Sequence, residues 1–304
     1  MLNKIKEYMS YIKKTNFLRV LAVTPWLIQD RQSQELLRKI LRNELFQTFS
    51  KKIKKMSVSS YDPSFIGEVY DDAIWFMWLQ PIGEAPEFVQ ENYKYLRRML
   101  GRKLILISED NVFELTRLPD FIIDKYRSGI ISRTHFSDIV RVQLLSVYGG
   151  IWIDSTVVVT KTWLDNTPEI TLLQQFKPGN EGNYVNVSSW FMKFPKNHPY
   201  ITQVRDVLFS YWNSENKLFD YFLIHMIMQR VSMDQNNFLG TIYPFDNSIP
   251  HYLMLKMRKE IVSADSMQLF IANEGIAKFT NKTRNVTETE NYKSLITVLK
   301  QMQS

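Results

Sequence analysis

The 304-residue sequence contains no cysteine, four histidines, ten glycines and eleven prolines. The lack of cysteine excludes disulfides, thiolate metal sites and a cysteine nucleophile, and it fits a reducing compartment. Few glycines and prolines, with 45% hydrophobic and 13% aromatic residues, exclude wholesale disorder and supply a sizeable core. No apolar run reaches the ~18 residues of a transmembrane span. The longest, FLRVLAVTPWLI at 17–28, carries Arg19 and is broken by Pro25. No small-residue cleavage site follows it, so no secretory leader is expected.

What charge there is lies unevenly. Of the net +7, residues 1–60 hold +9, and the rest of the chain is −2. A nearly neutral body excludes a broad nucleic-acid surface. Residues 1–56 read as basic amphipathic helix, with Tyr8, Ile12, Phe17, Leu18 and Leu21 on one face. Two readings fit: a helical pair docked on the body, and a segment lying on an anionic inner leaflet, where each nearby basic residue adds roughly 1 kcal/mol. A division follows into a helical basic segment, 1–60, and a single body, 61–304.

Residues 57–72 read as an irregular crossing. AIWFMWLQ, 73–80, is short, aromatic and bounded by Asp72 and Pro81, which predicts a buried strand. EFVQENYKYLRRMLG, 87–101, is a helix closed by Gly101, and KLILIS is a second strand. This βαβ order predicts an α/β fold with a parallel sheet and a right-handed crossover. A helix over 138–148, N-capped by Ser137, leads through Gly149-Gly150 into a third strand, IWIDSTVVV. Further strands are expected at 171–176 and 188–194. Helices are expected over 198–231 and 251–272, followed by a polar tail.

Gly149 and Gly150 remove side chains where the chain turns into the sheet, so another group can approach the backbone there. Asp154 stands where IWI runs out. In open α/β sheets ligands bind beyond the carboxyl ends of the strands. A carboxylate there suits Mg²⁺ or Mn²⁺, provided a diphosphate supplies further ligands; a capping or surface aspartate is the competing reading. Asp138 and Arg141 share a helix face, as an ion pair or as part of a site.

The run H-x-SDIVR-x-x-LL-x-x-YGGIWIDSTV, 135–157, resembles the bacterial capsular polysaccharide synthesis glycosyltransferases. More distantly it is similar to sugar transferases with a DXD motif and to the glucosylating toxins. IWFMWLQ…AP-x-FV, LPDFIIDKYRSGIIS and FDYFLIH fit the same group, over roughly residues 70–230 and on to AKFTNK at 277–282. The resemblance implies a GT-A (Rossmann-like) nucleotide-sugar-binding fold, a UDP-sugar donor and Mn²⁺ or Mg²⁺. It implies that Asp138 and Arg141 contact the donor sugar and that Asp154 is the first acid of the motif and the metal ligand. Thr156 falls at the second acid, which departs from the pattern and leaves the metal with one carboxylate. Trp78 and Gln80, at the end of the first strand, would lie near the base, with Trp75 on the opposite face of the strand.

Asp220 caps a helix or, by the resemblance, positions the acceptor. His225 is a core histidine or a ligand. Lys278 and Lys282 sit in a solvated tail or fold over the donor to neutralise the departing diphosphate. The expected function is transfer of glucose or galactose from a UDP-sugar to a lipid-linked saccharide in capsule or exopolysaccharide synthesis. No carboxylate offers itself as general base, which favours retention of configuration. The protein would work in the cytoplasm, peripheral to the inner face of the plasma membrane, without nucleic acid. A protein-glucosylating transferase and a non-catalytic subunit of a polysaccharide assembly complex are the alternatives.

Overall fold

The structure, a computed structural model, describes residues 31–61, 70, 72–175 and 186–302, with side chains from residue 40 onward. The helical expectation for residues 1–30 and most of the crossing at 57–72 lie outside the described residues. In chain order the elements are α1 (Arg31–Lys55), β1 (Ile74–Met77), α2 (Glu87–Leu100), β2 (Leu104–Ile107), α3 (Val112–Thr116), α4 (Asp120–Arg127), α5 (Arg133–Val147), β3 (Gly150–Ile153), β4 (Val157–Val159) and α6 (Lys161–Asp165). There follow β5 (Thr171–Gln174), β6 (Val187–Phe194), α7 (Pro199–Ser214), α8 (Leu223–Asp234), β7 (Phe245–Asp246), α9 (Ile249–Met257), α10 (Ala264–Glu274), β8 (Ile276–Lys278) and α11 (Val286–Gln301).

A sheet of order β2-β1-β3-β6-β5-β7 forms the centre of this α/β fold. β1 pairs in parallel with β2 and β3, as the βαβ pattern predicts. β6 runs antiparallel to both β3 and β5, so the sheet is mixed rather than wholly parallel. Side-chain alternation divides the core in two. Trp75, Met77 and Trp152 face the side covered by α1, α5, α7 and α8. Ile74, Phe76 and Ile153 face the side covered by α2, α9, α10 and α11. Leu45, Phe46, Phe49 and Ile53 of α1 are buried in the first cluster, so the described part of the basic segment docks on the body.

Several boundaries differ from expectation. α5 begins at Arg133, capped by Ser132, whose Oγ accepts the His135 N–H; Ser137 is therefore a helical residue, not the cap. IWIDSTVVV is not one strand: the Val157 N–H donates to the Asp154 carbonyl at 2.9 Å, a tight turn. β4 then leaves the main sheet to pair antiparallel with β8. The helical stretches at 198–231 and 251–272 are each broken, at 215–222 and 258–263. The polar tail is α11, with Tyr292, Leu295, Ile296, Val298 and Leu299 buried; its polarity belongs to the solvent face of an amphipathic helix.

Candidate functional site

The carboxyl ends of β1 and β3 and the first turns of α5 enclose a cleft of about 340 Å³. β1 contributes Met77 and the following Trp78, Leu79 and Gln80 to its walls. β3 contributes Trp152 and the following Asp154 and Ser155, and α5 contributes Arg133, Thr134, Ser137 and Arg141. Asn281 closes the rim. β1 lies between β2 and β3, so the cleft sits where strand order reverses, the usual ligand position of such sheets.

The turn that aims Asp154 into this cleft is pinned from α2. Asn92, fully buried, donates through Nδ2 to the carbonyls of Ser155 at 3.0 Å and Val157 at 2.9 Å. The Asp154 N–H donates to the Trp190 carbonyl at 2.9 Å. The Asp154 side chain is 26% exposed. Its Oδ1 accepts from Trp152 Nε1 at 2.9 Å and lies 3.5 Å from Arg141 Nη2. Its Oδ2 accepts from Lys278 Nζ at 3.1 Å. Burial alone raises such a carboxyl's pKa. Lys278 first and Arg141 next, with the hydrogen bonds from Trp152 and Lys278, more than offset this and hold it below the ordinary carboxylate range.

Arg141 is 5% exposed, so its contacts are mostly with the protein itself. Its guanidinium lies 4.9 Å over the Trp152 ring. It donates to the Ser137 carbonyl at 3.2 Å, to Ser137 Oγ at 2.8 Å and to the Ser189 carbonyl. Nη2 is 3.3 Å from Asp138 Oδ1, and His135 Nδ1 is 3.6 Å from Asp138 Oδ2. The expected pair is present, and Arg141 links it to Asp154. From α8, His225 feels both charges; burial lowers its pKa to about 4, with Asp138 pulling up and Arg141 down. The His135 ring meets Tyr221 edge-on at 5.8 Å, which joins the FDYFLIH segment to the start of α5.

Of the other candidates, Trp78 and Gln80 line the cleft, and Trp78 Nε1 is buried without a hydrogen-bond acceptor among the described residues. Trp75 is core: fully buried, it donates through Nε1 to the Gly149 carbonyl at 2.9 Å. Thr156 Oγ1 accepts from Lys278 Nζ at 2.6 Å. Lys282 is exposed and outside the cleft wall, where Asn281 stands instead. Asp220 Oδ1 accepts the Phe222 N–H at 2.8 Å, the geometry of a turn leading into α8.

Gly149 and Gly150 require correction. Gly149 precedes β3 and Gly150 begins it, at the end remote from Asp154, with φ of +72° and +91°. A Cβ on Gly149 would meet Lys196 N at 2.5 Å, and one on Gly150 would meet Ala73 O at 2.2 Å. The space they leave is filled by the protein's own backbone, not by a ligand. A larger cavity, about 550 Å³, opens beside them at the amino ends of the strands, away from Asp154.

Sequence reasoning missed Trp152 and Asn92. Alternation places Trp152 on the same side of β3 as Asp154, a signal that was available. Asn92 acts across 63 residues, and nothing local announces it. The site also fails to fit the Mg²⁺ or Mn²⁺ expected from the sequence. Both Asp154 oxygens already face cationic or N–H donors, Thr156 adds no charge, and no group of three or more His, Asp or Glu residues placed to hold a metal occurs among the described residues.

A family model described as capsular polysaccharide synthesis protein matches residues 24–298. No curated protein sequence matches significantly. Among solved structures, the chain is similar to PaToxG Glycosyltransferase at 12% identity and a TM-score of 0.36, over 88% of this chain and 98% of that one, a likeness too loose to assign function.

Proposed function

This chain belongs to the family of capsular polysaccharide synthesis proteins, and we propose that within it the protein is a glycosyltransferase. It moves a hexose, glucose or galactose, from a UDP-sugar to a lipid-linked saccharide in capsule or exopolysaccharide assembly. The observation that carries this reading is the arrangement at the strand ends: Asp154 and Arg141 line a cleft together with Trp78 and Gln80, and Lys278 stands behind that wall, bonded to Asp154. An aromatic ring at one wall suits a stacked base. Positive charge at the other suits a departing diphosphate, whose charge grows as the sugar leaves.

Among the described residues Asp154 is the one carboxylate of the cleft wall, and three groups already hold it. That supports a retaining transfer. The bond from the anomeric carbon to the donor phosphate breaks, the acceptor oxygen bonds to the same carbon on the same face, and its proton passes to the released phosphate oxygen. Arg141, which lines the cleft, orients the donor, and Asp138, buried behind it and outside the cleft wall, holds the guanidinium in place. Asp220, through the turn before α8, would place the acceptor side. The basic residues of 1–60 favour the inner leaflet, where a lipid-linked acceptor is found. No helix among the described residues is long and apolar enough to cross a membrane.

The test is to incubate the purified chain with UDP-glucose, UDP-galactose and other UDP-hexoses, with extracted lipid-linked saccharides as acceptors. UDP release and the mass of the product are followed. Release by the wild type that falls at least 100-fold in Asp154→Asn supports the reading. Absence of release with every donor would favour a non-catalytic subunit, and transfer to protein alone would favour a protein-glucosylating enzyme.

A further inference from the structure

We propose that Lys278 takes the place of a divalent cation, so that the site handles its diphosphate with a cation built into the chain. The inference rests on the glycosyltransferase reading and specifies how that site works. Pairing of Val157 with Lys278 puts the last residue of β8 beside the turn that carries Asp154. The ammonium donates to Thr156 Oγ1 at 2.6 Å and to Asp154 Oδ2 at 3.1 Å, and its side chain is 15% exposed. The Trp190 ring lies 6.0 Å from Nζ. An ammonium has three N–H donors. Asp154 and Thr156 are its hydrogen-bond acceptors among the described residues, which leaves one donor for a phosphate oxygen.

The residue identities favour this arrangement over a metal. A second acid at 156 would coordinate a dication, whereas a hydroxyl there accepts a hydrogen bond from an ammonium and adds no charge. A dication at Asp154 would have to displace Lys278 and then sit against Lys278 and Arg141, two positive charges at contact range of the same carboxylate. When the donor's glycosidic bond breaks, the electron pair goes to the diphosphate. The ammonium meets that growing charge by charge-assisted hydrogen bonding, with no ion to recruit.

The test uses the full chain and UDP. Calorimetric titrations in EDTA and in Mn²⁺ are compared, and Mn²⁺ binding is followed separately by electron paramagnetic resonance. Wild-type affinity for UDP should agree within about twofold between the two buffers, and Lys278→Met should weaken it roughly tenfold or more in both. Thr156→Asp combined with Lys278→Met should create Mn²⁺ binding that the wild type lacks and restore UDP affinity in Mn²⁺ alone. Wild-type affinity that drops tenfold or more in EDTA overturns the inference and needs no variant to fold. So does a Lys278→Met protein that binds UDP as the wild type does, and so does Mn²⁺ bound by the wild type and lost in Asp154→Asn. UDP bound in neither buffer overturns the sugar-nucleotide reading itself, and the inference with it.

Discussion

The indole N–H of Trp152 donates to Asp154 Oδ1 at 2.9 Å, while the same ring lies beneath the Arg141 guanidinium. One buried side chain thus orients both charges of an ion pair. Trp152→Phe keeps much of the apolar body and removes the N–H. About tenfold lower kcat/KM for UDP-sugar turnover is expected, with the fall mainly in kcat, from the loss of a hydrogen bond to a charged group. Steady-state kinetics with the preferred donor measure it. An unchanged kcat would mean that Asp154 is held well enough by Lys278.

Arg141 joins three carbonyl or hydroxyl acceptors to two carboxylates. A lysine carries the charge but not the fork. Arg141→Lys should therefore lose activity almost as fully as Arg141→Met. Arg141→Met, which removes the guanidinium from buried Asp138 and leaves it only His135, should lower stability by about 3 kcal/mol. Urea unfolding midpoints and UDP release separate the two effects.

His225 makes stability depend on pH. Its pKa falls from 6.5 in the unfolded chain to about 4 in the folded one, chiefly through burial. Between those values the unfolded chain binds a proton that the folded chain refuses. The stabilisation is complete above pH 6.5, declines as pH falls, and levels off near pH 4 after a loss of about 3 kcal/mol. His198 and His251 are shifted the same way, so the wild type alone does not isolate His225. The difference in unfolding free energy between wild type and His225→Leu, measured at pH 7.5 and 4.5, does, and it should move in favour of the variant at the lower pH.

Legibility in the sequence followed the range of the interactions. β1, α2 and β2 could be read because a short aromatic run, a 3.6-residue repeat ending in Gly101 and a second apolar run are local signals. The position of Asp154 beyond a strand end was readable for the same reason. The break after it was not, because Val157, Val158 and Val159 continue a β-branched pattern. Only their pairing with residues 276–278 takes them out of the main sheet. That pairing also brings Lys278 across 122 residues to Thr156. The double glycine invited a functional reading because two missing side chains in a row are visible locally, whereas the backbone that fills the gap comes from Ala73 and Lys196.

Asn92 offers the sharpest separation of scaffold from chemistry. It touches no group assigned to the reaction, yet both protons of its amide nitrogen go to carbonyls of the turn that carries Asp154. Asn92→Leu would bury two carbonyls without donors, each costing about 1–3 kcal/mol. The turn would relax by moving those carbonyls toward solvent, and Asp154 would move with them. A melting temperature lower by several degrees is expected, together with a fall in kcat larger than the change in UDP affinity, since the phosphate contact through Lys278 rests on β8 as well. Should kcat survive in a protein that melts earlier, the turn is held by β4–β8 pairing, and α2 supplies stability alone.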